Sequence, residues 1–177
     1  MAGSPLQFWT VLLKLPNYVV VHFQEDADLR RYSFTVTPEQ RLSVCPHCQK
    51  AVQEVHQTRT REGIHDLSIS NYAVELKVRV CQYVCERCQC TFTPPVPFLA
   101  EGSHATERLL ERATELIRSS DMANTAAFVG VPEQTLARWY YDYLQRRQAS
   151  SEWPLKPIRR MGIDELSLKK NIGSSSR

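Results

Sequence analysis

No stretch of this 177-residue chain is apolar for long enough to cross a membrane. The best candidate, Phe8 to Phe23, is interrupted by Lys14, Pro16 and Asn17, and no basic segment precedes it. It therefore reads as a helix followed by a strand, neither an anchor nor a secretory signal. A surplus of one charge is lacking too: the net charge of +3 is too small to name a partner. No internal repeat is present. Without export, the six cysteines do not read as a disulfide framework, and they point to metal ligands or free thiols in the cytoplasm.

What the chain does carry is unevenly placed. From Leu136 to Arg177 nine basic residues face four acidic ones, whereas from Glu101 to Thr135 three basic residues face six acidic ones. The basic surplus lies towards the C-terminal end. Cys45-Pro46-His47-Cys48 and Cys85-Glu86-Arg87-Cys88 are two C-x2-C turns. Each aims two thiolates at one point, and the pair completes a tetrahedral zinc site. Four sulfur ligands leave no open position, so such a zinc is structural. Cys81 lies on the preceding strand, and Cys90 sits two residues beyond the second turn, where it is either a spare thiol or a substitute for Cys88. His47 is enclosed by its own turn, and His22, His56, His65 and His104 lack ligand spacing. Gln49 and Gln89 stand where many such knuckles place glycine.

Between the knuckles, Val74, Leu76, Val78 and Val80 alternate with Glu75, Lys77 and Arg79, the pattern of a half-buried strand over 73–84 leading into Cys85. Ser68 and Ile69 also carry a strand signal. Residues 5–15 read as a short helix, and Tyr18–Phe23 and Leu29–Thr37 as strands, with Tyr32, Phe34 and Val36 on one face. Pro94, Pro95 and Pro97 end the strand-rich part. From Ala105 the period turns helical, with Leu109, Leu110, Ala113, Leu116 and Ile117 on one face. A short helix over 122–129, a turn at Gly130 and a helix over 133–147, with Pro132 suited to its first position, follow.

Residues 125–141 have the make-up of a helix-turn-helix. Ala126 is small at the crossing, and Val129, Val131, Leu136 and Trp139 hold the helices together. The outer face of the second helix would carry Glu133, Gln134, Ala137, Arg138 and Tyr141. Arginine suits guanine and glutamine suits adenine, and Arg146 and Arg147 at the helix end suit phosphate. The run Trp139–Tyr143 reads as helix core and rim, not as a base-stacking platform.

The order of these parts resembles a family: the N-terminal part of bacterial insertion-sequence transposases, which carry a zinc-binding domain, a helix-turn-helix and a catalytic core of the Asp-Asp-Glu type. The resemblance rests on Cys45-Pro46-His47-Cys48, on Tyr83 to Cys88 with Thr91 and Phe92, on Ala126 to Trp139, and on Gly162-Ile163-Asp164-Glu165-Leu166-Ser167. It implies an α+β chain in four parts: an N-terminal helix and hairpin (1–40), a zinc ribbon (41–98), a helix-turn-helix (104–149), and a linker with the start of a ribonuclease-H-like core (150–177). It implies structural zinc on Cys45, Cys48, Cys85 and Cys88. It implies double-stranded DNA, the element's terminal repeats, as partner, together with a full-length transposase and no membrane. Asp164 corresponds to the first catalytic carboxylate. That chemistry needs three carboxylates and two metal ions, and the sequence after Asp164 does not continue as a core strand, so Asp164 reads as a relic without activity. The competing reading is an independent zinc-ribbon transcription regulator. Loss of metal is expected to unfold residues 41–98 and to spare the helices.

Overall fold

The computed structural model describes residues 5–150. Helix α1 (Pro5–Leu13) leads into the hairpin β1 (Tyr18–Asp26) and β2 (Arg31–Pro38). The short strands β3 (Ser43–Val44) and β4 (Ala51–Val52) follow, then the long pair β5 (Val55–Ile69) and β6 (Tyr72–Val84), and β7 (Thr91–Phe92). Helices α2 (Glu107–Ser119), α3 (Met122–Val129) and α4 (Glu133–Ala149) complete the described chain. The main sheet runs β1-β2-β6-β5, with β7 beside the end of β6, while β3 and β4 form a separate two-stranded sheet.

The central pairing, β2 with β6, is parallel, with Phe34 opposite Leu76 and Val36 opposite Val78. These four side chains are fully buried. The alternation of β6 is the cause: its even-numbered apolar residues share one pleated face, and β2 brings Phe34 and Val36 to the same face. Helix α1 covers the hairpin end of that face. Its Trp9 ring lies 4.7 Å from Phe23 and 5.2 Å from Phe34. Thr10 ties the helix to β1 by accepting the Val20 N–H at 2.9 Å. Among the described residues no helix is long and apolar enough to cross a membrane.

Strand β5 is far longer than the short signal at Ser68 and Ile69. It pairs antiparallel with β6 along nearly its whole length, but its register shifts at Val55/Gln57, Arg61/Ile64 and Asp66/Ile69. Each shift moves the inward-facing set by one residue, which erases a period of two from the sequence. The same strand carries the helices. The His65 N–H donates to the His104 carbonyl at 2.8 Å, and the Thr106 N–H donates to the His65 carbonyl at 3.0 Å.

Beside that backbone seam, the Asp66 carboxylate is wholly buried and fully partnered. Arg108 donates to both of its oxygens, and the Thr106 hydroxyl donates to it at 2.7 Å. A further Arg108 nitrogen donates to the Leu13 carbonyl at 2.6 Å. One guanidinium thus joins the end of α1, strand β5 and the first turn of α2. Thr106 is also the N-cap of α2, its hydroxyl accepting the Leu109 N–H.

The three helices share their own core of Leu109, Leu110, Ala113, Ala126, Val131, Leu136, Trp139 and Tyr143. Asp121 caps α3, accepting the Asn124 N–H at 2.8 Å. Gly130 ends α3 at φ 77°, and the Gly130 and Val131 N–H groups both donate to the Ala126 carbonyl. This is a left-handed helix end, which favours glycine for conformation alone, since a Cβ there would meet nothing within 4 Å. Pro132 sits one position before the first helical residue, and its carbonyl accepts the Leu136 N–H.

Candidate metal centre and helical face

The two knuckles have the same backbone. In the first, the Cys45 N–H donates to the Lys50 carbonyl and the Gln49 N–H to the Cys45 carbonyl, at 2.9 and 3.0 Å. In the second, the Cys85 N–H donates to the Cys90 carbonyl and the Gln89 N–H to the Cys85 carbonyl, at 2.9 and 2.8 Å. Both turns close through a left-handed glutamine, Gln49 at φ 58° and Gln89 at φ 54°. Each glutamine amide then donates back to a carbonyl three residues earlier, Pro46 or Glu86.

The hairpin β3–β4 presents the first knuckle and β6–β7 the second. They meet because β5 starts just after β4 and pairs with β6: Val55 lies opposite Tyr83, and the Val84 N–H donates to the Glu54 carbonyl. Tyr83, Val52, Cys45, Cys81 and Cys85 form a small core of their own, with Phe92 stacked on Tyr83 at 5.8 Å.

The ligand atoms of Cys45, Cys48, Cys85 and Cys88 all lie within 4.8 Å of one another. Cys45 and Cys88 are 3.5 Å apart, as are Cys48 and Cys85. A zinc ion with four sulfurs at about 2.3 Å has sulfur–sulfur edges of about 3.8 Å, so the cluster fits that ion. The electrostatics favour thiolates at two corners. Burial pushes the Cys45 thiol up, but the N–H groups of Cys48 and His47 point at its sulfur and bring it down to about 6. The Cys88 N–H holds the Cys85 thiol below its ordinary value in the same way. Among the described residues no histidine joins this group.

The sequence alone does not decide the place of a fifth sulfur. Cys90 lies 3.1 Å from Cys88 and 3.4 Å from Cys45. Cys81 is buried on β6 with Thr58 beside it at 3.8 Å.

On α4, Leu136, Trp139 and Tyr143 are buried, while Glu133, Gln134, Arg138 and Tyr141 are exposed and Ala137 is half-buried. Arg146 donates to Glu107 of α2 at 2.7 Å, and Arg147 donates to the Tyr143 hydroxyl at 2.7 Å. Both guanidinium groups lie against the Tyr143 ring. Asp164 is outside the described residues. The Asp66–Arg108–Thr106 network went unread in the sequence, because neither spacing nor periodicity links positions some 40 residues apart.

Fold and cluster together define a mixed α/β protein that carries a zinc ribbon, with structural zinc as its cofactor. Residues 41–88 match the family described as the zinc-finger of transposase IS204/IS1001/IS1096/IS1165. The chain is also similar to the transposase for insertion sequence element IS1001 of Bordetella parapertussis, 26% identical over 150 residues. That match covers 85% of this chain and 36% of the relative, so the chain spans about a third of the transposase it resembles. No solved structure matches the chain. The similarity is that of the N-terminal part of an insertion-sequence transposase, and it bears out the resemblance drawn from the motifs.

Proposed function

We propose that residues 104–149 form a DNA-binding helix-turn-helix that recognises the terminal repeats of an insertion element, with α4 as the recognition helix. One observation carries the reading: on α4 the residues able to read base edges, Gln134 and Arg138, share the exposed face with Glu133 and Tyr141, while the apolar residues of that helix face inward. The left-handed turn at Gly130 and the small, buried Ala126 suit two helices crossing closely. In this proposal the partner is double-stranded DNA, in the cytoplasm and with a full-length transposase as companion; the similarity to a transposase supports the DNA. In this proposal Cys45, Cys48, Cys85 and Cys88 hold the zinc, which shapes the ribbon and takes no part in a reaction. In this proposal the chain binds DNA and does not itself cut or join it. Arg146 and Arg147 are phosphate contacts that also brace the helix end.

Selection of bound fragments from a random DNA pool, with the element's own ends included, tests the reading. One sequence is expected to be enriched. Arg138→Ala should weaken that sequence by about 1–3 kcal/mol and relax the preference at one position. Equal weakening on specific and random DNA would make Arg138 a phosphate contact, and the absence of any preference in the unmutated protein would end the recognition-helix assignment.

A further inference from the structure

Among the described residues, positive charge is concentrated away from the helices. Residues 101–150, which hold α2, α3 and α4, carry six basic and seven acidic side chains. Residues 41–62 and 77–88, the two knuckles and the strands that join them to the sheet, carry seven basic and three acidic ones. Strand β2 pairs with β6 only as far as Val78, and β7 joins β6 only from Tyr83. Between those points β5 and β6 run as a two-stranded ribbon, with Gln57 opposite Gln82, Arg59 opposite Val80 and Thr60 opposite Arg79. The Gln57 amide donates across it to the Gln82 side chain. Strand β5 is at the edge of the sheet. Arg59 and Arg61 stand two residues apart, so they leave one side of the strand about 7 Å from each other, and Arg79 leaves the other side with Thr60. All three arginines are exposed, and among the described residues none of them makes an ion pair. By contrast, Lys77 is paired with Glu62, and Arg146 with Glu107. Arg61 and Arg146 line the same cleft, which runs from β5 to the end of α4.

We infer, resting on the proposed DNA binding, that this ribbon is a second contact surface, on which Arg59, Arg61 and Arg79 bind backbone phosphates of the duplex that α4 reads. Three arginines without acidic neighbours in one short ribbon repel one another, and a polyanion turns that repulsion into attraction. The free edge of β5 lets arginines from both sides of the ribbon reach one partner. The sheet holds one end of the ribbon and the metal cluster the other, so these charges are in place before DNA arrives. A duplex that leaves α4 past Arg146 meets Arg61 next, across the shared cleft. Contacts of this kind carry no sequence information; they add affinity and orient the recognition helix.

The test is salt-dependent binding of the full zinc-loaded chain to a random duplex and to the duplex enriched by selection, read by fluorescence anisotropy. Arg59→Gln/Arg61→Gln/Arg79→Gln should bind both duplexes at least about tenfold more weakly near physiological salt, and its slope of log affinity against log salt should be shallower by about 2–3. Its sequence preference should not change. Arg59→Lys/Arg61→Lys/Arg79→Lys keeps the charge and should stay within about threefold of the unmutated protein. Removing the same charge elsewhere, in Lys14→Gln/Arg30→Gln/Arg112→Gln, should also cost less than about threefold. An unchanged slope in the ribbon variant, or an equal loss in the control, would overturn the inference. A loss confined to the selected duplex would make the ribbon a base reader and overturn the phosphate assignment. If the unmutated protein prefers no sequence and the ribbon variant still loses affinity, the recognition-helix reading fails and the ribbon stands. If the unmutated protein binds no duplex, both fail. A further measurement needs no variant: bound duplex should slow phenylglyoxal modification of Arg59, Arg61 and Arg79, and unaltered rates at all three would overturn the inference.

Discussion

At Gln49 and Gln89 the chain takes a conformation that costs an L-residue about 1–2 kcal/mol and glycine nothing. Glycine would lose more freedom on folding, by about 0.5–1 kcal/mol, and each glutamine would give up an exposed hydrogen bond to Pro46 or Glu86. The balance favours glycine slightly. Gln49→Gly and Gln89→Gly should each raise the stability of the zinc-loaded protein by about 0.5 kcal/mol, seen as a higher urea midpoint at unchanged slope. This strain was legible beforehand, because the residue after a C-x2-C turn has a known backbone role. His65 was not legible as more than an ordinary histidine. It is half-buried against the Trp139 ring, 5.8 Å away, and burial holds its pKa below the ordinary 6.5. Below that pH the unfolded chain takes up a proton that the folded chain resists, so stability is full above about pH 6.5 and declines on acidification. His65→Gln should lose less stability than the unmutated protein between pH 7.5 and 5.5 when helix content is followed by circular dichroism. The zinc site is the same in both proteins, so a difference between them belongs to His65.

Among the elements, β6 and α2 to α4 were legible because each keeps one period along its length. Strand β5 was not, because three register shifts break its alternation. Its importance lies in its attachments, since β5 holds the sheet, the second knuckle and the helices at once. Arg108 is the centre of that attachment. Removing it leaves the Asp66 carboxylate buried with only the Thr106 hydroxyl, and an unpaired buried charge costs about 3–5 kcal/mol. Because Arg108 itself is about a third exposed, the lower end applies, and Arg108→Ala should cost about 3 kcal/mol in thermal or denaturant unfolding. Hydrogen exchange should rise first at the amides of His65 and Thr106, where the helices meet β5. A loss below about 1 kcal/mol would show that the backbone seam alone holds the helices.

For the molecule as a whole, the cysteines sit in their own small core, and the sheet is packed by a different one built from Phe34, Val36, Leu76 and Val78. The expectation that metal loss unfolds all of 41–98 therefore narrows, because β5 and β6 belong to the sheet over most of their length. Chelation should abolish amide protection at Cys45, Gln49, Cys85 and Gln89 while leaving Leu76, Val78 and the helices protected in hydrogen exchange. Loss of protection at Leu76 on chelation would mean that zinc holds up the whole sheet. The cluster was legible as four cysteines in two pairs. That its two hairpins are brought together by a strand shared with the main sheet was not, because the link is a long-range pairing.

The parallel pairing of β2 with β6 also sets an order of events during synthesis. The β1–β2 hairpin can form early, but its apolar face, with Phe23, Phe34 and Val36, has no neighbouring strand until β6 emerges. Phe34 lies opposite Leu76 in the finished sheet. At about 5–20 residues per second the ribosome takes roughly 2–8 s to make the intervening chain. Through that interval α1 is the available cover, and Trp9 already rests on Phe23 and Phe34. The first knuckle waits in parallel for Cys85. A helix that looks peripheral in the finished protein can thus shield the hairpin's apolar face before β6 is made.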